Sequence, residues 1–327
     1  MVEDNSGVSF GEDKNKAKKE IKHYRTILNR VLRFYDVNYR RLLFIPFIML
    51  FLAFIVIAIQ IGKSGSFINK DVSLKGGVTI VVSHEGKADL LGLEKKLSSR
   101  FVGHDISVRA IKKAGKQTGI IVVADIDGTS KKELDSFISS LESFLGFKLD
   151  ENQYSIEIMG SSLGASFFKE TIIALLLAFL LMSVVVFIYF RTFVPSIAVI
   201  LSAFSDIVVT LAIVDLLGMK LSTGGIAAFL MLIGYSVDTD MLLTTRLIKR
   251  KEGTVLDRTI GAFKTGMVMT ITTIAAIIVA LLFTKSDIVT QIMTIVLIGL
   301  CVDIVNTWIQ NVGILRIYLE RKNKMVE

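Results

Sequence analysis

The sequence predicts a membrane α-helical protein, with six transmembrane helices and one ferredoxin-like α+β external domain inserted between helices 1 and 2. Three observations carry that prediction. Six apolar stretches (42–61, 171–190, 194–217, 223–245, 262–283 and 288–315) each hold the roughly 20 helical residues that cross about 30 Å of hydrocarbon. Mean hydropathy is +0.61 although 21% of residues are charged, so apolar and charged residues are segregated along the chain. Lys and Arg crowd alternate short connections, the pattern that sets orientation in a bilayer.

The first stretch follows ten Lys/Arg residues between Lys14 and Arg41. A flank of that length is not the short basic start of a signal peptide, and no small-x-small cleavage site follows, so 42–61 reads as an anchor. Segment 1–41 reads as a basic tail, with Lys14–Lys22 solvated and partly helical against anionic lipid headgroups. Arg191 lies in the second short turn. Arg246, Lys249, Arg250, Lys251, Arg258 and Lys264 cluster between the fourth and fifth stretches, and Arg316, Arg321, Lys322 and Lys324 close the chain in a tail, 316–327. The other short turns carry only Lys220 and Lys285. The expectation is a multi-pass protein of the cell membrane with both termini cytoplasmic. Segment 62–170 then lies outside, and its balanced charge does not oppose this, since long domains translocate largely regardless of charge.

Within 62–170, Val78–Ser83 follows the Gly76-Gly77 pair as a β-rich run, and Ala88–Phe101 has helical spacing of apolar residues. Asp105–Ile111 and Gly119–Ile126 read as strands joined through a turn containing Gly115. Ser130 is expected to open a second helix to about Phe147, with Glu133 completing a capping box. Tyr154–Met159 alternates as a last strand. The order βαββαβ is that of a ferredoxin-like domain. After it, helices 2–6 occupy 171–315. The last stretch is longer than a crossing needs, so it protrudes or tilts.

Several functions are argued against by what is missing. One Cys permits no intrachain disulfide. His23, His84 and His104 all lie outside the apolar stretches, so no metal ligand set and no cofactor is expected. GxSxG, HExxH and a phosphate loop are all absent, and no catalytic residue is predicted. The net charge of +8 falls at membrane flanks, which argues against nucleic acid.

The candidate site is intramembrane. Asp206 lies near the middle of the third stretch, where an Asp costs about 2.5–3.5 kcal/mol. Ser202 and Thr210 sit one turn either side on the same face. The residue is either hydrogen-bonding glue or a protonatable group in an ion path. In the fourth stretch, GYSVDTDMLLTTR places Asp238 and Asp240 about 200° apart around the helix, with Thr244 sharing the face of Asp240. Which of the two aspartates lines a path stays open. Arg246 reads as a topology anchor or as a cation for an intramembrane carboxylate. In the sixth stretch Asp303, Asn306, Thr307 and Gln310 form one polar stripe. Four such aspartates facing lipid would cost on the order of 10 kcal/mol, so they are expected to converge inside the bundle. Convergent carboxylates mean ion movement or aspartyl proteolysis, and the GxGD signature of presenilin-like proteases is missing. Gly224, Gly225 and Gly234 fit close helix packing.

Several motifs together resemble the SecF family, the smaller subunits of SecDF protein-export complexes and relatives of the resistance–nodulation–division transporters. They are Leu74-Lys75-Gly76-Gly77-Val78, MGSSLGASF (Met159–Phe167, with Ser161 where Pro is common), Phe190-Arg191, Ser205-Asp206 and Ile233–Ser236. The resemblance covers nearly everything after residue 40. It implies pairing with SecD, work beside the Sec translocon channel on exported polypeptide, contact with membrane lipids, and a carboxylate role for Asp206 with Arg246 as the matching Arg. Many bacterial relatives continue the fourth-helix motif with Asn-Asp and later Asp-Arg. Here Asp238, Thr239 and Thr245 stand at those three positions, a pattern similar to the archaeal branch, and Asp238 and Asp240 are candidates to replace the displaced carboxylates. Two alternatives stand beside this: a structural subunit that moves no ions, and a stand-alone small-molecule exporter.

Overall fold

The computed structural model describes residues 30, 33–83, 89–113, 116–149, 154–250, 252–284 and 286–324. The Lys14–Lys22 tail, Gly115 and Lys285 lie outside the described residues. Among the described residues the fold is mostly helical, with six helices long and apolar enough to cross a membrane and one small antiparallel sheet domain between the first two.

The first membrane helix, α1 (Phe44–Ser64), ends at Gly65 in the left-handed conformation, φ 67°. A short helix α2 (Val72–Lys75) leads into the sheet domain: β1 (Gly77–Ser83), α3 (Leu90–Arg100), β2 (Ile106–Lys113), β3 (Lys116–Ala124), α4 (Lys131–Leu145) and β4 (Tyr154–Met159). The sheet order is β2-β3-β1-β4 with every neighbouring pair antiparallel, the ferredoxin-like order. Period-two alternation places one row, Val108–Val122–Ile80–Ile156, across all four strands. That row faces Leu93 and Leu97 of α3 and Phe137 and Leu141 of α4, giving a wholly apolar core.

The expected capping box at Ser130 does not form. Ser130 is the N-cap of α4 without a side-chain bond, and Glu133 instead accepts from the Asp127 backbone N–H at 3.3 Å. The Asp127 carboxylate takes the Thr129 N–H and hydroxyl, so the preceding turn competes for these groups. A capping box exists elsewhere, between Thr254 and Asp257.

Five more long helices follow: α5 (Ser161–Phe190), α6 (Phe193–Leu216), α7 (Thr223–Lys249), α8 (Val255–Phe283) and α9 (Asp287–Val305). The last continues through a π-helical turn (Asn306–Asn311) into α10 (Val312–Lys324). Helix α5 starts ten residues before the predicted apolar stretch, and its first turns abut the domain. A Cβ on Gly164 would lie 2.6 Å from the Gly76 nitrogen, and one on Gly77 would lie 2.3 Å from the Ala124 carbonyl oxygen. The two glycine motifs therefore mark places where backbones touch. Gly224 and Gly225 pack closely as expected, against Ile288 and against Leu221 and Gln291; Gly234 meets nothing within 4 Å and lies open.

Helices α6 and α7 are the inner pair, while α5 is exposed along nearly all its length. The long final helix is held at its far end by the residues preceding α1. Tyr35 donates to the Trp308 carbonyl at 2.6 Å, Tyr39 to Glu320 at 2.5 Å, and Arg316 pairs with Asp36. At the opposite end the domain is tied to the α6–α7 turn. Leu221 N–H donates to Asn69 at 2.6 Å, Asp71 N–H to Leu221 at 2.9 Å, and Lys220 bonds Asp105 at 2.5 Å.

Candidate functional site: a buried carboxylate cluster

The site is assembled from three helix faces. On α6, Ser202, Ser205, Asp206 and Thr210 fall at helical spacing and are all fully buried. On α7 the inward face carries Ser236, Asp240 and Thr244, also fully buried. Asp303, Asn306, Thr307, Gln310 and Asn311 come from α9 and its π-helical turn, every one of them inaccessible to solvent.

The π turn explains how both Asn306 and Asn311 can serve. In an α-helix five residues rotate the side chain by about 140°, which sets Asn306 and Asn311 at opposite edges of the polar stripe. A turn closed by i→i+5 bonds brings residues five apart back to one face. Such turns cluster at functional sites. Trp308 fills the outer side of this turn. Its ring packs on Phe263 at 5.0 Å and occupies the space above Gly266, where a Cβ would lie 2.5 Å from the indole.

Asp206 accepts on both oxygens, from the Ser236 hydroxyl at 2.5 Å and from Asn306 Nδ2 at 2.7 Å. Asp240 accepts from Asn311 Nδ2 at 2.7 Å, and the same amide reaches the Thr244 hydroxyl at 3.5 Å. Asp303 accepts from Thr307 at 2.9 Å. Gln310 Nε2 donates to the Ser205 hydroxyl, which in turn donates a hydrogen bond to the Leu201 carbonyl. The three carboxylates each bring an oxygen within 4.8 Å of the others. Among the described residues no Lys, Arg or His bonds or pairs with any of them. Two like charges at that separation repel by roughly 3.5 kcal/mol at an effective dielectric of about 20. Full ionisation without compensation is therefore unfavourable, and what the cluster can do chemically is take up positive charge, as protons or as a cation.

Of the residues picked out from the sequence, Ser202, Asp206, Thr210, Asp240, Asp303 and Asn306 are brought to the bundle interior. The convergence of four aspartates holds for three. Asp238 is exposed on the outer side of α7, beside open Gly234 and Tyr235, because its position falls about 200° from that of Asp240. Arg246 does not reach a carboxylate either. Its guanidinium donates to the Gly261 carbonyl at 2.5 Å and to Thr265 at 2.9 Å, tying α7 to α8. Asn311 and Ser236 were missed as site residues. Ser236 sits in the motif Ile233–Ser236 and lies on the Asp240 face four residues away, a readable signal; Asn311 offered one too, four residues after Thr307 and eight after Asp303 at the edge of the predicted stripe.

Comparison with known proteins follows the same lines. A family model described as "Protein export membrane protein SecD/SecF, C-terminal" matches residues 140–321. The chain is 37% identical over 296 residues to the protein-export membrane protein SecF of Methanolacinia petrolearia, covering 89% of this chain and 98% of that one. It is 36% identical over 288 residues to the protein of the same name from Methanocaldococcus jannaschii, covering 86% and 96%. In fold it is similar to the crystal structure of SecDF, a translocon-associated membrane protein from Thermus thermophilus, with a TM-score of 0.66 at 18% identity. That similarity covers 88% of this chain, which spans 38% of the SecDF chain.

Proposed function

We propose a function from one premise: the chain belongs to the SecF family of protein-export membrane proteins. As such it works in protein export at a membrane it crosses repeatedly. In our reading it pairs with SecD beside the Sec translocon channel, and the two together promote outward movement of polypeptide using an ion gradient. It does so as a transporter subunit and not as an enzyme. Both termini are cytoplasmic and the ferredoxin-like domain faces outside.

The observation that carries the coupling is the buried Asp206–Asp240–Asp303 cluster, three carboxylates without a basic partner among the described residues. Taking up and releasing positive charge there changes which hydrogen bonds α6, α7 and the π turn make with one another. Helix α6 runs from Asp206 to the turn whose Lys220 and Leu221 grip the external domain. Repacking of α6 against α7 is thereby transmitted to the domain that meets emerging polypeptide. Moving one charge through 100 mV is worth about 2.3 kcal/mol, enough for a few ions to bias a domain motion.

Pairing with SecD is supported by a different feature. Asp238 lies on an exposed stripe of α7 with Met231, Gly234 and Tyr235. A lipid-facing Asp there carries the 2.5–3.5 kcal/mol cost noted above, which a second membrane subunit with a polar group opposite would remove. Isolation from native membranes in mild detergent, with mass spectrometry of what accompanies the chain, tests this. Co-purification of a second six-helix subunit with its own external domain is expected. Recovery of the chain alone would overturn the pairing and favour a stand-alone exporter.

A further inference from the structure

The carboxylate cluster has more free oxygen than protons can satisfy. Asp240 Oδ2 and Asp303 Oδ2 are buried without a hydrogen-bond partner, and so are the Ser202 hydroxyl and the amide oxygens of Asn306, Gln310 and Asn311. These are side chains with no solvent exposure. Ser202 and Thr307 flank the Asp240 carboxylate, while Asn306 and Asn311 are fixed beside Asp206 and Asp240 by their own amide donors. One proton shared between two carboxylates satisfies two oxygens and leaves the neutral ones orphaned, each at about 1–3 kcal/mol. A small cation satisfies several oxygens at once.

Size and donor chemistry agree with that. Hard cations take oxygen ligands at about 2.3–2.6 Å, so ligand oxygens around one ion lie no more than about 5 Å apart. The three carboxylates meet that limit at 4.8 Å. The donors are all oxygen, with no thiol or imidazole, a set for hard ions and not for zinc or copper. Charge narrows the choice further. Each oxygen of Asp206 already accepts a hydrogen bond, from Ser236 and from Asn306, whereas Asp240 and Asp303 each keep one oxygen without a partner. Two such oxygens completed by neutral hydroxyl and amide oxygens carry less negative charge than a calcium loop with its several carboxylates.

We propose that the Asp240 and Asp303 carboxylates, completed by neutral oxygens from α6 and the π-helical turn, form a binding site for one dehydrated sodium ion. The sequence alone gave no metal site, because that expectation rested on the scarcity of Cys and His, which does not bear on an all-oxygen site. The site rests on geometry alone. Its part in export rests on the coupling reading above.

The single Trp of the chain, Trp308, lies within the π turn and reports on it directly. Purified full-length protein is titrated with sodium chloride against choline chloride at constant ionic strength, following Trp308 emission and the unfolding midpoint. A saturable emission change is expected, with a rise of about 3–6 °C at ten times the dissociation constant. Asp240→Asn and Asp303→Asn each abolish both responses, and Ser202→Ala, which keeps every charge, weakens the half-saturation point several-fold. No saturable response to sodium, a response to calcium or magnesium only, or an undiminished response in both Asn variants would overturn the site. Binding with export indifferent to sodium would leave the site intact and remove only its coupling role.

Discussion

The molecule has two cores built on opposite rules. The sheet domain is held by Val78, Ile80, Val82, Leu97, Val122, Phe137 and Leu141, without a polar side chain among them. At the centre of the membrane bundle the reverse holds: Ser202, Asp206, Ser236, Asp240, Thr244, Asp303, Asn306 and Asn311 are fully buried, while Leu, Ile and Phe of α5 and α8 face outward. Water explains the first, because burying apolar surface from it is the main stabilising term. Lipid explains the second. Between helices in hydrocarbon there is no hydrophobic drive, so packing and hydrogen bonds associate them, and a polar group gains more from facing inward than an apolar one does. The domain's core can only hold a shape. The bundle's core can also change its charge.

That contrast is sharpened most by a large truncation in the dry core. Phe137→Ala leaves a cavity in the domain and should cost about 3–5 kcal/mol. Limited proteolysis should cut the domain, while Trp308 emission from the bundle stays unchanged; a change at Trp308 would mean that the two cores are not separate. Next comes Asn311→Leu, which strips the 2.7 Å amide hydrogen bond from the Asp240 carboxylate. It should cost about 1–3 kcal/mol in a denaturant titration of the bundle, although Leu is the more lipophilic residue. Stabilisation instead would break the rule that polarity holds this core.

The smallest effect is expected at the junction. Burial pushes the Asp105 carboxyl up, but Lys220 and then Lys75 outweigh it and hold it below its ordinary value near 3.8. A depressed carboxyl contributes stability above its unfolded value and loses it as pH falls through its folded one. The contribution is thus present from about pH 4 upward and lost in stronger acid. Lys220→Ala should remove no more than about 1 kcal/mol at neutral pH. The difference from the parent should shrink below pH 4, as unfolding midpoints across pH would record.

How far these cores were legible in the sequence follows from their periodicities. Strand alternation and the order βαββαβ gave the domain's fold, because a half-buried sheet writes its inner face at every second residue. The bundle's inner face was legible on α6, where Ser202, Asp206 and Thr210 repeat at helical spacing. On α7 the sequence left Asp238 and Asp240 open. Only the observed face, shared with Ser236 and Thr244, places Asp240 inside. Asn311, four residues after Thr307, was legible at the edge of the stripe but not picked out; the π turn that brings it level with Asn306 was illegible, since nothing in NTWIQN announces it. The Lys220–Asp105 tie joins residues 115 positions apart, a contact no local pattern encodes.

Asp206 tests the account most directly, since it sits between two other helices and accepts from Ser236 on one and Asn306 on the other. Asp206→Asn keeps size and shape but removes the charge. Export of a reporter protein is measured in membrane vesicles with and without an imposed ion gradient, for the parent and for this variant. The account predicts that the variant folds, assembles and loses the gradient-dependent part of export. Full retention of gradient dependence in Asp206→Asn would contradict it and leave the buried aspartates as hydrogen-bond glue.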